Sequence, residues 1–292
     1  YDGVDIPEPE VAHIDYEKRD PWSQRYYMTI RQDEFDITSD QLQTARRAYF
    51  AMVSHLDELI GGLIGTLKSI GQLENTYIFV ISDHGEMLGE RGMWYKFNPY
   101  EPSIRVPLIV QGPNFKAGYR EESLVSLVDL LPTFVDIASG GTFTDYVAPC
   151  DGRSLLKLPE RESENDKVFI EFNGEGLYAP ALMMIKGNLK LVHSRTDPKM
   201  FFDLKKDPFE LNNLANNSDY QFEMDKMFAE MQLRWDEDDL DQRIRVSQRK
   251  RIFVQSAMKQ GRFPSWDYAP HYDPAKVYVR GGNDPSTTAT KQ

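Results

Sequence analysis

A single cysteine, Cys150, stands in 292 residues, so the chain holds no internal disulfide and no Cys-rich zinc site, and it suits a reducing compartment. Positive charge is also short. The 34 Lys and Arg face 46 Asp and Glu, a formal charge of -12, which repels a polyanionic backbone and argues against nucleic acid as a partner. No uninterrupted apolar run reaches the roughly 18 residues of a membrane span, so a soluble, cytoplasmic protein with no membrane partner is expected. A starting methionine is missing too. The opening Tyr1-Asp2-Gly3-Val4-Asp5-Ile6-Pro7-Glu8-Pro9 reads as a mid-protein loop and not as a signal or transit segment, which suggests a piece of something longer.

What is present is enough apolar side chain, 40% of the residues, to bury a sizeable core. Residues 1 to 38 are polar, Pro-bearing and aperiodic, and read as a long connection. From Leu42 the apolar residues Ala45, Tyr49, Met52, Val53, Leu56, Ile60, Leu63, Ile64 and Leu67 step by three and four. This predicts an amphipathic helix of about seven turns, opened by a Thr38/Gln41 capping box and closed at Gly71. Tyr77 to Ile81 and Val106 to Val110 are short β-branched and aromatic runs, as expected of strands buried on both faces. A helix with Asp129 as N-cap and Pro132 in its first turn follows the second run.

Beyond a Gly-, Thr- and Pro-rich stretch the pattern changes to strands at Val168 to Phe172, Ala181 to Ile185 and Leu189 to His193. Lys186-Gly187-Asn188 reads as a hairpin turn. A helix from about Tyr220 to Trp235, an acidic run from Asp236 to Asp241 and a basic helix-like stretch from Arg243 to Lys259 complete the ordered pattern. The expected divisions are 1–160 for an α/β core, 161–236 for an antiparallel sheet plus helix, and 237–292 for a helical and extended oligomerisation tail carrying Trp266, Tyr268, Tyr272 and Tyr278.

Asp83 and His84 follow directly on the first strand, the carboxyl-end position where open α/β sheets place ligands. A carboxylate and an imidazole side by side can turn toward one divalent cation, with Gly85 permitting a tight backbone course. The same pair could equally do no more than cap the loop. Two donors are too few for a hard cation, which takes about six. Glu86, Glu90 and Arg91 could pair with one another, and Arg105 could brace Glu101 or an acidic neighbour.

The segment Ile81-Ser82-Asp83-His84-Gly85-Glu86-Met87-Leu88-Gly89-Glu90-Arg91-Gly92-Met93-Trp94-Tyr95-Lys96 resembles the sulfatase family of the alkaline phosphatase superfamily. The match continues through Arg105-Val106-Pro107-Leu108-Ile109, Val128-Asp129-Leu130-Leu131-Pro132-Thr133, Asp151-Gly152-Arg153-Ser154-Leu155 and Asp207-Pro208-Phe209-Glu210-Leu211-Asn212-Asn213-Leu214. The resemblance implies the C-terminal part of an alkaline-phosphatase-like α/β core, a mixed sheet between helices, with a smaller antiparallel α+β subdomain and an extended tail. It implies that Asp83 and His84 ligate a divalent metal, Ca2+ with Mg2+ or Mn2+ as alternatives, that His84 and Lys96 serve catalysis, and that Lys96 contacts sulfate oxygens.

The formylglycine nucleophile of that family arises in a Cys/Ser-x-Pro-x-Arg motif, which this sequence lacks. Cys150, in Cys150-Asp151-Gly152-Arg153, is not it. The expected partner is therefore an N-terminal part of the same enzyme as a companion chain, because a parallel sheet lacking its central strands exposes its core. Arg46-Arg47-Ala48-Tyr49-Phe50, Gly174-Glu175-Gly176, Ser247-Gln248-Arg249-Lys250-Arg251 and Trp266-Asp267-Tyr268 resemble choline-sulfatases in particular. That implies a small sulfate ester with a quaternary ammonium, Glu175 and Asp284 as its contacts, and a homo-oligomer, a dimer of dimers. Other leaving groups, phosphonate or phosphate esters, and a non-catalytic assembly role stand as alternatives.

Overall fold

The computed structural model describes residues 1, 3–160 and 166–261. It divides into two units, Tyr1–Trp235 and the segment from Asp236 onward. The first unit is α/β and contains two antiparallel sheets.

The opening 38 residues are not one connection. Asp20 accepts from the Ser23 amide at 2.9 Å and Pro21 occupies the first turn of helix α1, Pro21–Thr29. The Asp-Pro cap is a start signal that the polar surroundings obscure. Only one turn-to-turn pair, Trp22 and Tyr26, is apolar and buried, too few for a visible period. Helix α2, Ser39–Ser69, begins at the expected capping box, with both the Thr38 and Gln41 side chains engaged, and runs into Gly71 at φ +70°.

By length and composition α2 could cross a membrane. Its Met52, Val53, Leu56, Leu59 and Leu63 are all exposed and share one stripe at helical spacing, with Asp57 and Glu58 off that stripe. This pattern suits a helix that covers a core on one face, whereas a spanning helix is apolar all round.

Strand β1, Ile78–Ile81, follows. The short helix α3, Glu101–Ile104, leads to β2, Leu108–Gln111, which pairs with β1 antiparallel from Ile78↔Gln111 to Ile81↔Leu108. These strands are not buried on both faces: Ile109 is 64% exposed and Ile81 is open as well. Two strands cannot cover one another's faces, and among the described residues no further strand flanks them. Helix α4, Leu130–Ser139, also leaves Leu131 and Phe134 exposed. Asp129 precedes α4 as expected but does not cap it. Its carboxylate turns back to the Ser126 amide at 3.1 Å and the Arg153 amide at 2.7 Å.

Four strands, β3 (Lys167–Phe172), β4 (Ala181–Lys186), β5 (Leu189–Ser194) and β6 (Asp197–Asp203), form an antiparallel meander in that order. The expected turn at Gly187 has φ +54°. Sequence pattern misses β6 because Pro198 and Lys199 stand near its start and a bulge near Val192/Ser194 shifts its register. Helix α5, Gln221–Arg234, buries Met224, Met227 and Met231 at helical spacing and packs on β4 and β5. The opposite face joins Trp22 and Tyr26 of α1 with Met87, Met93 and Tyr100 against Ala181, Met183, Val192, Met200 and Phe202.

In the second unit, helix α6, Glu237–Met258, starts inside the acidic run and not after it. Asp236 caps the Asp238 and Asp239 amides, and Glu237, Asp238 and Asp239 fill the first turn. Negative charge there meets the positive end of the helix dipole.

Candidate functional site

β1 delivers Ser82, Asp83 and His84 to a turn closed by its own side chains. Ser82 Oγ donates to the His84 carbonyl at 2.7 Å, and the His84 amide donates to Asp83 Oδ1 at 3.0 Å. His84 Nδ1 lies 2.7 Å from the Gly85 carbonyl. A carbonyl only accepts, so Nδ1 carries a proton, and in the neutral imidazole the lone pair is then on Nε2. Nε2 stands 3.6 Å from Asp83 Oδ2, with the Asp83 side chain 84% exposed and the His84 side chain 40%.

The two expected ligands are thus brought together, and the imidazole is in the tautomer a metal needs. They fit part of a coordination sphere for a divalent cation. No group of three or more His, Cys, Asp or Glu that could complete it occurs among the described residues.

Gly85 is required by a close approach. Its amide and that of Glu86 donate to the Ser103 and Pro102 carbonyls of α3, both at 2.8 Å. A Cβ on Gly85 would overlap the Pro102 oxygen and lie 3.0 Å from the Arg105 carbonyl. The loop beyond is folded on Glu86, whose Oε1 accepts from the Leu88 and Tyr95 amides. It is pinned by Met87 and Met93, both fully buried.

Leu88, Arg91, Tyr95 and Phe97 all take left-handed φ, between 45° and 69°. Such angles are unfavourable for bulky side chains and concentrate at functional segments. Lys96 sits between two of them. Its ammonium lies 4.9 Å from the Phe97 ring centroid and has no carboxylate partner among the described residues. The charge is available to an anion.

The expected pairing of Glu86, Glu90 and Arg91 with one another does not occur. Glu90 accepts from the Glu10 and Val11 amides and lies 3.6 Å from Arg46. The buried Arg91 lies over the Tyr100 ring at 3.8 Å and donates to the Glu210 carbonyl. Nor is Arg105 the brace of Glu101, whose carboxylate is taken by Lys190 at 3.1 Å. The hydrogen-bond partners among these are 79 to 119 residues distant, and local spacing cannot reveal them.

Glu175 is exposed and no donor among the described residues reaches its carboxylate. Its loop is clamped by α1, where Trp22 Nε1 donates to the Glu175 carbonyl at 3.3 Å and Arg25 Nε to that of Gly176 at 2.6 Å. Phe97, next to Lys96, stacks on Phe172 at 5.6 Å, and Phe172 stacks on Trp22 at 5.4 Å. These rings tie the Lys96 loop to the Glu175 loop. Burial holds the Tyr26 hydroxyl in its neutral form and pushes its pKa up, and the negative charges of Glu86 and Glu175 add to that. Asp284, Trp266, Tyr268, Tyr272 and Tyr278 lie outside the described residues. The Cys150 thiol lies 3.8 Å from the Gly152 carbonyl.

Three family descriptions match in order along the chain: Sulfatase at residues 13–141, N-sulphoglucosamine sulphohydrolase, C-terminal, at 89–236, and Choline sulfatase enzyme C terminal at 242–284. The chain is 37% identical over 284 residues to a choline-sulfatase of Rhizobium meliloti (strain 1021), covering 96% of this chain and 55% of that protein. It is 32% identical to arylsulfatase K of Rattus norvegicus, covering 74% and 39%. It therefore spans about half the length of these relatives. The crystal structure of the phosphonate monoester hydrolase of Agrobacterium radiobacter shares the fold, with a TM-score of 0.64 and 24% identity over 78% of this chain and 51% of that one. With ordered matches running from residue 13 to residue 284, the chain belongs to the sulfatase family.

Proposed function

We propose that this chain forms one wall of a site that hydrolyses a sulfuric ester, and that the ester is choline sulfate. The observation that carries the reading is the Asp83–His84 pair, converging at 3.6 Å on a loop whose Lys96 is held between two left-handed residues with its charge free.

Asp83 and His84 would hold a divalent cation, which would supply positive charge against the charge developing on the sulfate oxygens. His84 holds a proton on Nδ1 against the Gly85 carbonyl, which leaves Nε2 of the neutral imidazole as the nitrogen able to face a metal. Lys96 points an ammonium at the sulfate, where it is worth most in a water-poor pocket. Glu175, clamped through its own carbonyl, offers its carboxylate to the trimethylammonium, which has no hydrogen to donate and is held by charge and aromatic faces alone. The similarity to a choline-sulfatase over 96% of the chain supports this leaving group.

The nucleophile belongs to an N-terminal companion. Exposed apolar side chains on α2, β2 and α4 support such a partner, since large exposed apolar surface marks an interface. Turnover of choline sulfate, phenyl sulfate and a phenyl phosphonate ester by the whole enzyme, with and without Glu175→Gln, tests the reading. Preference for choline sulfate that falls several-fold in the variant supports it. Equal turnover of the three esters would overturn the substrate. No sulfate-ester turnover in an enzyme that carries a formylglycine would overturn the activity.

A further inference from the structure

A buried charge cluster stands behind α3. Lys190, on β5, is fully buried, and its ammonium donates to Glu210 Oε1 at 2.6 Å and Glu101 Oε1 at 3.1 Å. The other Glu210 oxygen accepts from the Glu101 amide at 2.8 Å, the first amide of α3. The Glu210 carbonyl accepts from Arg91 Nη2 at 2.6 Å. Arg91 and Lys190 balance Glu101 and Glu210, so the cluster is neutral as a whole.

Glu210 itself has φ +55°, an unfavourable angle for this residue that the surroundings must enforce. Burial favours the neutral form of its carboxyl, and Lys190 opposes that. Each of these groups makes contacts that a solvent-exposed side chain would not keep.

The geometry points to Glu210 as a positioning residue that sets where the Asp83–His84 turn and the Lys96 loop stand. Two hydrogen-bond routes leave it. One runs through the Glu101 amide into α3, whose Pro102 and Ser103 carbonyls hold the Glu86 and Gly85 amides. Gly85 in turn carries the carbonyl that orients His84. The other runs through its own carbonyl to Arg91, in the middle of the left-handed loop that carries Lys96. Lys190 orients Glu210 from the four-stranded sheet, which is thereby coupled to the site. The importance of this positioning rests on the metal role proposed for Asp83 and His84.

Amide hydrogen–deuterium exchange on the whole metal-free protein tests the inference without relying on activity. Glu210→Gln keeps the shape but leaves one oxygen to serve two donors. Exchange at Gly85 and Glu86 should rise about tenfold, the loss of roughly one net hydrogen bond, while amides in the β4 ladder keep their rates. Unchanged exchange at Gly85 and Glu86, or an equal rise across β4, would overturn it. If Glu210→Gln does not fold, Lys190→Met/Glu210→Gln removes one charge of each sign, and the same two outcomes decide. A calcium titration read at residues 83–86 separates the premise. Calcium protection in the wild type that Asp83→Ala abolishes supports the metal role, and no protection in the wild type sinks that role while leaving the exchange result on Glu210 standing.

Discussion

Replacing Gly85 by alanine should weaken the folded state severely although it adds one methyl group. The new Cβ would overlap the Pro102 carbonyl oxygen and lie 2.9 Å from its carbon and 3.0 Å from the Arg105 oxygen. All three atoms are backbone, so no flexible side chain can yield. Relief requires α3 and the turn to separate, which breaks the Gly85-to-Ser103 and Glu86-to-Pro102 hydrogen bonds, each 2.8 Å long. Two net hydrogen bonds amount to about 2 kcal/mol, and overpacking adds roughly 1–3 kcal/mol. The expected cost is about 3–5 kcal/mol, a large share of the roughly 5–15 kcal/mol of a typical domain. Urea unfolding followed by tryptophan fluorescence measures it. Gly65→Ala is the control, since nothing lies within 4 Å of its Cβ in α2, and it should stabilise by about 0.5–1 kcal/mol. A Gly85→Ala cost under about 1 kcal/mol would refute the claim that the turn is wedged against α3.

Lys96→Met in the whole enzyme should lower kcat for the sulfate ester about 10²- to 10³-fold, as removal of one preorganised charge does, with little change in unfolding midpoint because the ammonium has no carboxylate partner among the described residues; a marked loss of stability would count against a role in binding. Glu230 receives Lys186 at 2.8 Å and also pairs with Lys167. Burial would raise its carboxyl, but the two ammonium groups outweigh burial and hold it below the ordinary 4.5. A depressed acid contributes stability above about pH 4.5 and loses it as pH falls through the folded value. Glu230→Gln should therefore cost about 1 kcal/mol at pH 7 and progressively less toward pH 3, and a cost that stays constant over that range would contradict the assignment.

Local patterns were legible where one stretch of chain decides the structure. The Thr38/Gln41 box and Gly71 bracket α2 because capping involves residues three or four apart. Lys186-Gly187-Asn188 marks its hairpin for the same reason. Asp83 and His84 are legible because strand end, carboxylate and imidazole are adjacent in sequence. Lys190 is the opposite case. It lies between Leu189 and Leu191 on a strand covered on both faces, by α5 on one side and the site loop on the other. Alternation alone treats such a lysine as solvent-facing. Its partners are 20 and 89 residues away, so only the folded chain connects them. The exposure of β1 and β2 was illegible for a different reason: their residues are those of buried strands, and burial depends on what lies alongside.

That contrast explains how the site loop tolerates its backbone. Leu88, Arg91, Tyr95 and Phe97 each hold a left-handed conformation at a cost of about 1–2 kcal/mol. Isolated, the segment would relax. It is held because Met87 and Met93, at 0% and 1% exposure, pack into the same core as Met183, Val192 and Phe202, each stabilising by roughly 1.5–3 kcal/mol. Glu86 takes the Leu88 and Tyr95 amides, and the Glu210 carbonyl takes Arg91 Nη2. The antiparallel sheet, which bears none of the proposed metal donors, is thus the backing against which the loop carrying Lys96 is held in its left-handed conformations. In the proposed site, a loop fixed in this way would offer its charge to the anion without reorganising.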